Sequence, residues 1–166
     1  MPHIMKKLLI LFLAFLALAS CEWKNEAQST PMLYFSLFTR VDSIHKDTLR
    51  CTQTSANIIL VDSIKVADTV TFVIGADAVY NALDSMSVTW NHNQMNATFA
   101  VDEAWFIAEN TDIANGKFKF NPYYRGVNMP MVYVPTIAGT DTITIFLRST
   151  TTAYGPTSMT IIQPVR

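Results

Sequence analysis

Alternation of apolar and polar residues is the clearest pattern along the chain. In TVTFVIGAD, residues 69–77, Val70, Phe72 and Ile74 share one face, while Thr69, Thr71 and Val73 occupy the other. Further segments of this period, rich in Thr, Val, Ile and aromatic residues, lie at 84–91, 116–122, 139–150 and 158–165. A period of two indicates strands buried on one face, and this composition is typical of them. The sequence predicts an all-β fold.

No segment shows a sustained helical period of apolar residues. The nearest candidate, VDEAWFIAEN at 101–110, fits either one helical turn or a strand carrying Trp105 and Ile107. Short strands separated by Gly and Asn-Pro turns indicate antiparallel pairing. They predict a single β-sandwich, with a barrel as the alternative.

The N-terminus follows a different pattern. Lys6 and Lys7 precede thirteen uncharged, mostly apolar residues, 8–20. A membrane-spanning helix needs about 20 apolar residues, so this shorter run after basic residues indicates an export signal. We predict a signal peptide at 1–20, a flexible polar tether at 21–32, and one domain at 33–166.

The end of the apolar run, LASC, resembles the bacterial lipobox. In that class the signal is cut before the cysteine, which then carries the lipid. The resemblance implies lipid attachment at Cys21 and anchoring to the outer membrane; a secreted protein with a chance cysteine is the alternative. The leaflet stays open, because Glu22, Lys24 and Glu26 are only loosely similar to the export signals of Bacteroidetes surface lipoproteins.

Charge and cysteine content narrow the classes of function. Without Lys6 and Lys7 the mature chain keeps 10 basic and 13 acidic residues, a formal net charge of −3. These charges are dispersed, which argues against nucleic-acid binding. With Cys21 acylated, Cys51 has no partner for an intramolecular disulfide. Its place among alternating polar neighbours predicts that it faces inward as a small hydrophobe.

Motifs of catalysis and metal binding are missing from the sequence. There is no GxSxG, P-loop or dinucleotide fingerprint. His45 and His92 have no ligand partner at zinc spacing, so both are interpreted as solvated loop residues. Calcium is the better metal alternative, but no DxDxDG loop is present. We predict a protein that is not an enzyme and has no cofactor; the alternative is an envelope hydrolase built from dispersed carboxylates.

Two segments carry a family resemblance. Residues 133–165, YVPTIAGTDTITIFLRSTTTAYGPTSMTIIQPV, resemble the last strands of bacterial Ig-like and PKD-like domains. Residues 66–77, VADTVTFVIGAD, resemble their opening strands, with Ala67 where glycine is usual. With the lipobox, the chain is similar to small Ig-like lipoproteins of the Bacteroidetes. The resemblance implies an Ig-like sandwich and leaves the activity open.

Aromatic residues in predicted loops are the candidate binding residues. FNPYYRGVNMP, residues 120–130, is predicted to be a long inter-strand loop. Loops at one end of a sandwich often carry ligand-binding residues, and tyrosine suits sugar or protein surfaces. The candidates are Trp105, Tyr123, Tyr124, Arg125 and Tyr154; the alternative is that the paired tyrosines close the end of the core. We predict a non-catalytic binding or accessory module for a glycan or an envelope protein, with a structural subunit of a surface assembly as the alternative.

Aspartate, a hydroxyl residue and an aliphatic residue form a recurrent triplet. Six of the nine aspartates begin one. Turn chemistry before strands explains part of this excess. The resemblance implies a second cause, since exported Bacteroidetes proteins are O-glycosylated at such triplets. The candidate acceptors are Ser43, Thr48, Ser63, Thr69, Ser85 and Thr142.

Overall fold

The computed structural model describes residues 30–151 and 155–166. The predicted signal peptide, Cys21 and Tyr154 lie outside the described residues. Twelve strands form the described part of the chain: β1 (Met32–Phe35), β2 (Phe38–Val41), β3 (Lys46–Leu49), β4 (Cys51–Ser55), β5 (Ile58–Val61), β6 (Thr69–Asp77), β7 (Leu83–Thr89), β8 (Met95–Phe99), β9 (Lys117–Lys119), β10 (Gly126–Pro135), β11 (Gly139–Ser149) and β12 (Thr157–Val165). The all-β prediction is confirmed, and β6 has the predicted bounds.

These strands form two six-stranded sheets. The first has the order β3-β2-β6-β10-β8, with β1 also paired to β6. The second has the order β4-β5-β12-β11-β7-β9. All strand pairs are antiparallel except β5 with β12, which is parallel, so the expectation of antiparallel pairing was wrong for this pair.

Both sheets contribute to one hydrophobic core. The apolar faces that alternation predicted in β6, β7, β9 and β11 are buried. Aromatic contacts cross between the sheets, as Phe99 of β8 packs edge-on against Phe118 of β9 at 5.1 Å between ring centroids. A polar contact crosses as well, because the Tyr133 hydroxyl donates to Gln163 Oε1 at 2.7 Å. Burying each large apolar side chain stabilises a fold by about 1.5–3 kcal/mol.

The segment predicted as a long loop is partly a strand. The loop ends at Arg125, and residues 126–135 form β10 in the middle of the first sheet. A proline inside a central strand normally removes a ladder hydrogen bond. Pro130 is opposite Val73, whose own N–H and C=O point to the other side of β6, toward Ser36. Pro130 therefore faces the end of β8, where its carbonyl still accepts from the Ala100 N–H at 3.0 Å and only the bond of the missing N–H is lost.

Residues 103–115 take the helical of the two predicted forms, as short turns, and do not form a strand. They make three 3₁₀ turns, Glu103–Trp105, Ala108–Asn110 and Ile113–Asn115. Asp102 caps the first turn by accepting from the Ala104 N–H at 2.9 Å. Nowhere in the described ranges is there a helix with the length and apolar character to span a membrane.

The pairing of the strands gives the fold two distinct ends. At the first, called here the N-terminal end, Asp77 pairs with both Met32 and Gly126, and Leu83 pairs with Ser149. The start of β1 and the loops 78–82 and 121–125 therefore meet there. At the C-terminal end lie the turn 42–45, the loop 62–68 and the end of β12.

Ala67 occupies the position where the family resemblance expects glycine, and its backbone shows why. It has a φ of +69° in a turn closed by the Asp68 N–H donating to the Lys65 carbonyl at 3.2 Å. Turns of this kind favour glycine at the third position. We expect Ala67→Gly to raise the unfolding free energy by about 0.5–1 kcal/mol. Urea denaturation measures it, with Ala56→Gly in the exposed β4–β5 turn as a control, and an unchanged or lower midpoint for Ala67→Gly contradicts the expectation.

Candidate functional site

The predicted binding residues that the structure describes lie close together at the N-terminal end. The Ala78 N–H donates to the Arg125 carbonyl at 2.7 Å, and the Leu83 N–H donates to the Tyr124 carbonyl at 2.7 Å. These two bonds hold loop 78–82 against loop 121–125. Asn121 joins Trp105 to the same group, since its N–H donates to the Trp105 carbonyl at 2.9 Å.

The aromatic residues at this end have different environments. Trp105 and Tyr124 are half-buried and pack against the core. Tyr123 is 89% exposed, and Tyr80, which the sequence analysis missed, is 63% exposed. Of the three aromatic candidates that the structure describes, Tyr123 therefore points outward, and Tyr80 points outward from the adjacent loop. The AVYN turn directly after a long predicted strand is the signal that could have identified Tyr80.

Backbone strain lies next to Tyr80. Val79 has a φ of +60°, which is a rare conformation for a β-branched residue and costs about 1–3 kcal/mol. Its N–H donates to Asp77 Oδ1 at 2.6 Å. This side-chain acceptor holds the turn that exposes Tyr80.

A groove of about 910 Å³ opens on one side of the fold, between β1, β2 and β3 of the first sheet and β4 of the second. We call it the edge groove. β3 and β4 are separated only by Arg50, where the chain passes from one sheet to the other. The strands diverge there and leave a gap beside β1. Its apolar lining includes Leu33, Phe35, Leu37, Ile59 and Met159.

Both rims of the edge groove are free strand edges. Ser36 donates to the Val73 carbonyl at 3.0 Å, and alternate residues of an antiparallel strand point to the same side. The backbone groups of Leu33 and Phe35 therefore point away from β6, the only described partner of β1. On β4, Arg50 faces β5 by accepting from the Asp62 N–H at 3.0 Å, so Cys51 and Gln53 point away from it.

Cys51 lies in this rim, and the prediction that it faces inward was wrong. The residue is exposed and has a free thiol. All five residues of β4 are exposed, so the side chains on both of its faces meet solvent. Alternation of residue types therefore does not indicate a buried face in this strand. Partial burial of the sulfur raises the pKa of the Cys51 thiol, and nearby Asp62 adds to this rise. The thiol is therefore protonated at neutral pH and is not an activated nucleophile.

The aspartates of the triplets have structural roles. Asp42 Oδ1 accepts from the Ile44 and His45 N–H groups at 2.9 and 2.7 Å, and these bonds lower the pKa of the Asp42 carboxyl. Asp68 Oδ2 accepts from the Lys65 N–H at 2.8 Å. Asp84 binds Lys119 Nζ at 2.6 Å, and Asp47 pairs with Arg40. Turn chemistry and ion pairing thus explain much of the aspartate usage.

The six candidate acceptor hydroxyls differ in exposure. Ser43, Thr48 and Thr142 are exposed, whereas Ser63, Thr69 and Ser85 are half-buried. Ser85 also donates to Asp84 Oδ2 at 2.9 Å. O-glycosylation stays a prediction of the resemblance, and exposure favours the first three sites.

Metal ligands are dispersed in the described part of the chain. No group of three His, Cys, Asp or Glu residues comes together within 30–151 and 155–166. His45 and His92 are both exposed. His45 Nδ1 lies 3.6 Å from Asp42 Oδ1 in the turn 42–45, and His92 packs on the Trp90 ring at 4.4 Å between centroids.

Comparison with known proteins adds little to this geometry. No protein-family model matches the chain, and no curated protein is similar to it in sequence. A solved structure of the secreted serine protease VesC from Vibrio cholerae is similar over 70% of this chain and 23% of its own length, with 11% identity and a TM-score of 0.38. A family 123 glycoside hydrolase from Clostridium perfringens is similar over 83% and 27%, with 8% identity and a TM-score of 0.46. The chain thus spans about a quarter of the length of either structure.

Proposed function

We propose that this protein is an exported, lipid-anchored binding module of the cell envelope, with an Ig-like β-sandwich and no catalytic activity. Its ligand is an extended segment of a partner protein, which lies in the edge groove. The observation that carries this proposal is the groove itself, with an apolar floor between two free strand edges. An added strand gains main-chain hydrogen bonds from a free edge and side-chain contacts from the pockets beside it.

The same geometry weighs against the other ligand classes. A sugar-binding surface would place aromatic rings side by side and exposed, but Trp105 and Tyr124 are committed to the core. A subunit of a surface assembly would expose a long edge strand, whereas the described edge strands β1, β3, β4, β8 and β9 have three to five residues each. A short edge beside an apolar groove suits one bound segment better than a continuous array.

Photo-crosslinking tests the proposal. A photoreactive amino acid replaces Gln53 in the full-length protein, expressed in its native host and irradiated in intact cells. We expect one discrete protein adduct whose crosslinked peptide is apolar at alternate positions. Leu37→Asp should reduce the adduct by about tenfold or more, because it removes about 1.5–3 kcal/mol of apolar contact from the partner. Leu37 is 73% exposed, so this change leaves the fold intact.

The matched control is Ile137→Asp, which places a charge on an exposed residue at the C-terminal end. It should leave the adduct unchanged. A second readout is Cys51, whose alkylation by a maleimide should slow when the partner is bound. Absence of a protein adduct, or an adduct that survives Leu37→Asp, would show that the edge groove does not bind a protein segment.

A further inference from the structure

We infer that the N-terminal end of the fold lies against the membrane, and that Tyr80, Tyr123 and Arg125 contact the lipid headgroup region. This inference rests on the lipid anchor of the proposed function. It assigns to these loops a lipid surface as partner, instead of the glycan or protein that the sequence alone suggested.

The position of the first described residues supports this orientation. The Pro31 carbonyl accepts from the Thr157 hydroxyl, and Met32 pairs with Asp77. The chain therefore enters the fold at the N-terminal end, beside loops 78–82 and 121–125. An anchor attached upstream of Thr30 is therefore connected to this end of the fold.

The length of the tether limits other orientations. Cys21 lies nine residues before Thr30, a span of about 30 Å when fully extended and about 15–18 Å as a flexible coil. The eleven residues of β11 make the fold about 36 Å long at 3.3 Å per residue. A fully extended tether barely reaches the length of the fold and a coiled one reaches about half of it, so the anchor favours the N-terminal end at the lipid.

The chemistry of the exposed residues fits a membrane interface. Tyrosine combines an apolar ring with a polar hydroxyl and concentrates at the headgroup level. Arginine adjacent to a membrane is attracted to anionic lipid phosphates. Tyr80, Tyr123 and Arg125 are all exposed on two loops joined by the 2.7 Å bond from Ala78 to Arg125.

Two carboxylates beside these loops, Asp77 and Asp84, are engaged within the fold, whereas Asp102 and Glu103 beside Trp105 are exposed. Asp77 is half-buried and accepts from the Val79 N–H. Asp84 is paired with Lys119 at 2.6 Å, and this pairing lowers the pKa of its carboxyl against the opposing effect of burial. The strained Val79 holds Tyr80 outward despite the cost of that conformation.

Depth-dependent fluorescence quenching tests the inference on the full-length lipoprotein. Cys51→Ser removes the free thiol of the mature domain, and an environment-sensitive label is attached at Tyr80→Cys or Tyr123→Cys. The protein is reconstituted into vesicles of phosphatidylethanolamine and phosphatidylglycerol that contain a headgroup-level quencher. Ile137→Cys, exposed at the opposite end, is the matched control. We expect the labels at 80 and 123 to be quenched at least about twofold more than the label at 137, because only an interfacial end reaches the quencher.

The outcomes separate the two proposals. If the protein does not float with the vesicles, the lipid anchor is wrong and the inference falls with it. If it floats and all three labels are quenched equally, the anchor stands and the membrane-facing end is overturned. Strong quenching at 137 alone would show the reverse orientation and also overturn it.

Discussion

Gly116→Ala should lower the unfolding free energy by about 2–4 kcal/mol, from backbone strain and overpacking together. Gly116 ends the 3₁₀ turn Ile113–Asn115 with a φ of +65°, where alanine is disfavoured. A Cβ atom there would lie 2.2 Å from the Val88 carbonyl oxygen and 2.8 Å from Trp90 Cζ3. The first contact is with backbone, so no side-chain rotation relieves it.

The position of Gly116 in the sheet increases this effect. Its carbonyl accepts from the Val88 N–H at 2.8 Å, so displacement of the glycine also breaks a bond to β7. Equilibrium urea denaturation measures the loss. Gly155→Ala is the matched control, because a Cβ at Gly155 meets nothing within 4 Å. Equal stability of the two variants would contradict the tight contact at Val88.

Five strands that the sequence predicted have one buried face, although β10, whose first residues were predicted as a loop, has one as well. β6, β7, β9, β11 and β12 each bury alternate side chains, and the period of two follows from that burial. β4 lacks the pattern, since all five of its residues are exposed. β3 has only four residues and one of them is buried. Such strands are formed by pairing with a neighbour, which leaves little periodicity in the sequence.

The candidate sites depend on contacts between distant segments. The edge groove forms because the chain passes between sheets at Arg50, beside a strand from residues 32–35. No local motif encodes that gap. The N-terminal loops are different: Tyr123 and Arg125 were predicted as exposed loop residues, and they are. The sequence did not predict that they lie near Tyr80 and the start of β1, because that depends on the order of the strands in the sheet.

The aspartate triplets show how one motif serves several purposes. Asp42 and Asp68 accept backbone N–H groups in turns, as turn chemistry predicts. Asp141 has the same sequence context but is buried in β11, with 2% of its surface exposed. The triplet has the same form in a turn and within a strand. Only the fold therefore separates Asp141 from Asp42 and Asp68.

Asp141→Asn should raise the unfolding free energy at pH 7 by about 1–3 kcal/mol, because it removes a buried charge whose oxygen has no hydrogen-bond partner. Asp141 Oδ2 is buried and has no hydrogen-bond partner among the described residues. Burial raises the pKa of the Asp141 carboxyl. Tyr133 lies close enough for the two groups to interact, and the pKa of the Tyr133 hydroxyl is raised as well, chiefly by burial.

The raised pKa of Asp141 makes the fold less stable as the pH rises. Below the unfolded pKa, Asp141 is protonated in both states and costs nothing. As the pH rises above that value, the unfolded chain releases the proton before the folded one, so stability falls until the folded pKa is passed. Asp42, Asp84 and Asp112 have lowered pKa values and act in the opposite direction, favouring the fold above the unfolded pKa. Asp42, Asp84 and Asp112 are present in both proteins. Their contribution therefore cancels in the difference between the unfolding free energies of wild type and Asp141→Asn.

Urea denaturation at about pH 3.5 and about pH 7, on either side of the unfolded aspartate pKa of about 3.9, measures this difference. We expect the stabilisation by Asp141→Asn to be small at the lower pH and larger at the higher pH. Glu109→Gln, which removes an exposed carboxylate, is the matched control and should change stability by less than about 0.5 kcal/mol at either pH. A variant less stable than wild type at pH 7 would mean that the ionised carboxylate is held by a favourable contact, and Asp141 would then join the other aspartates as a structural acceptor.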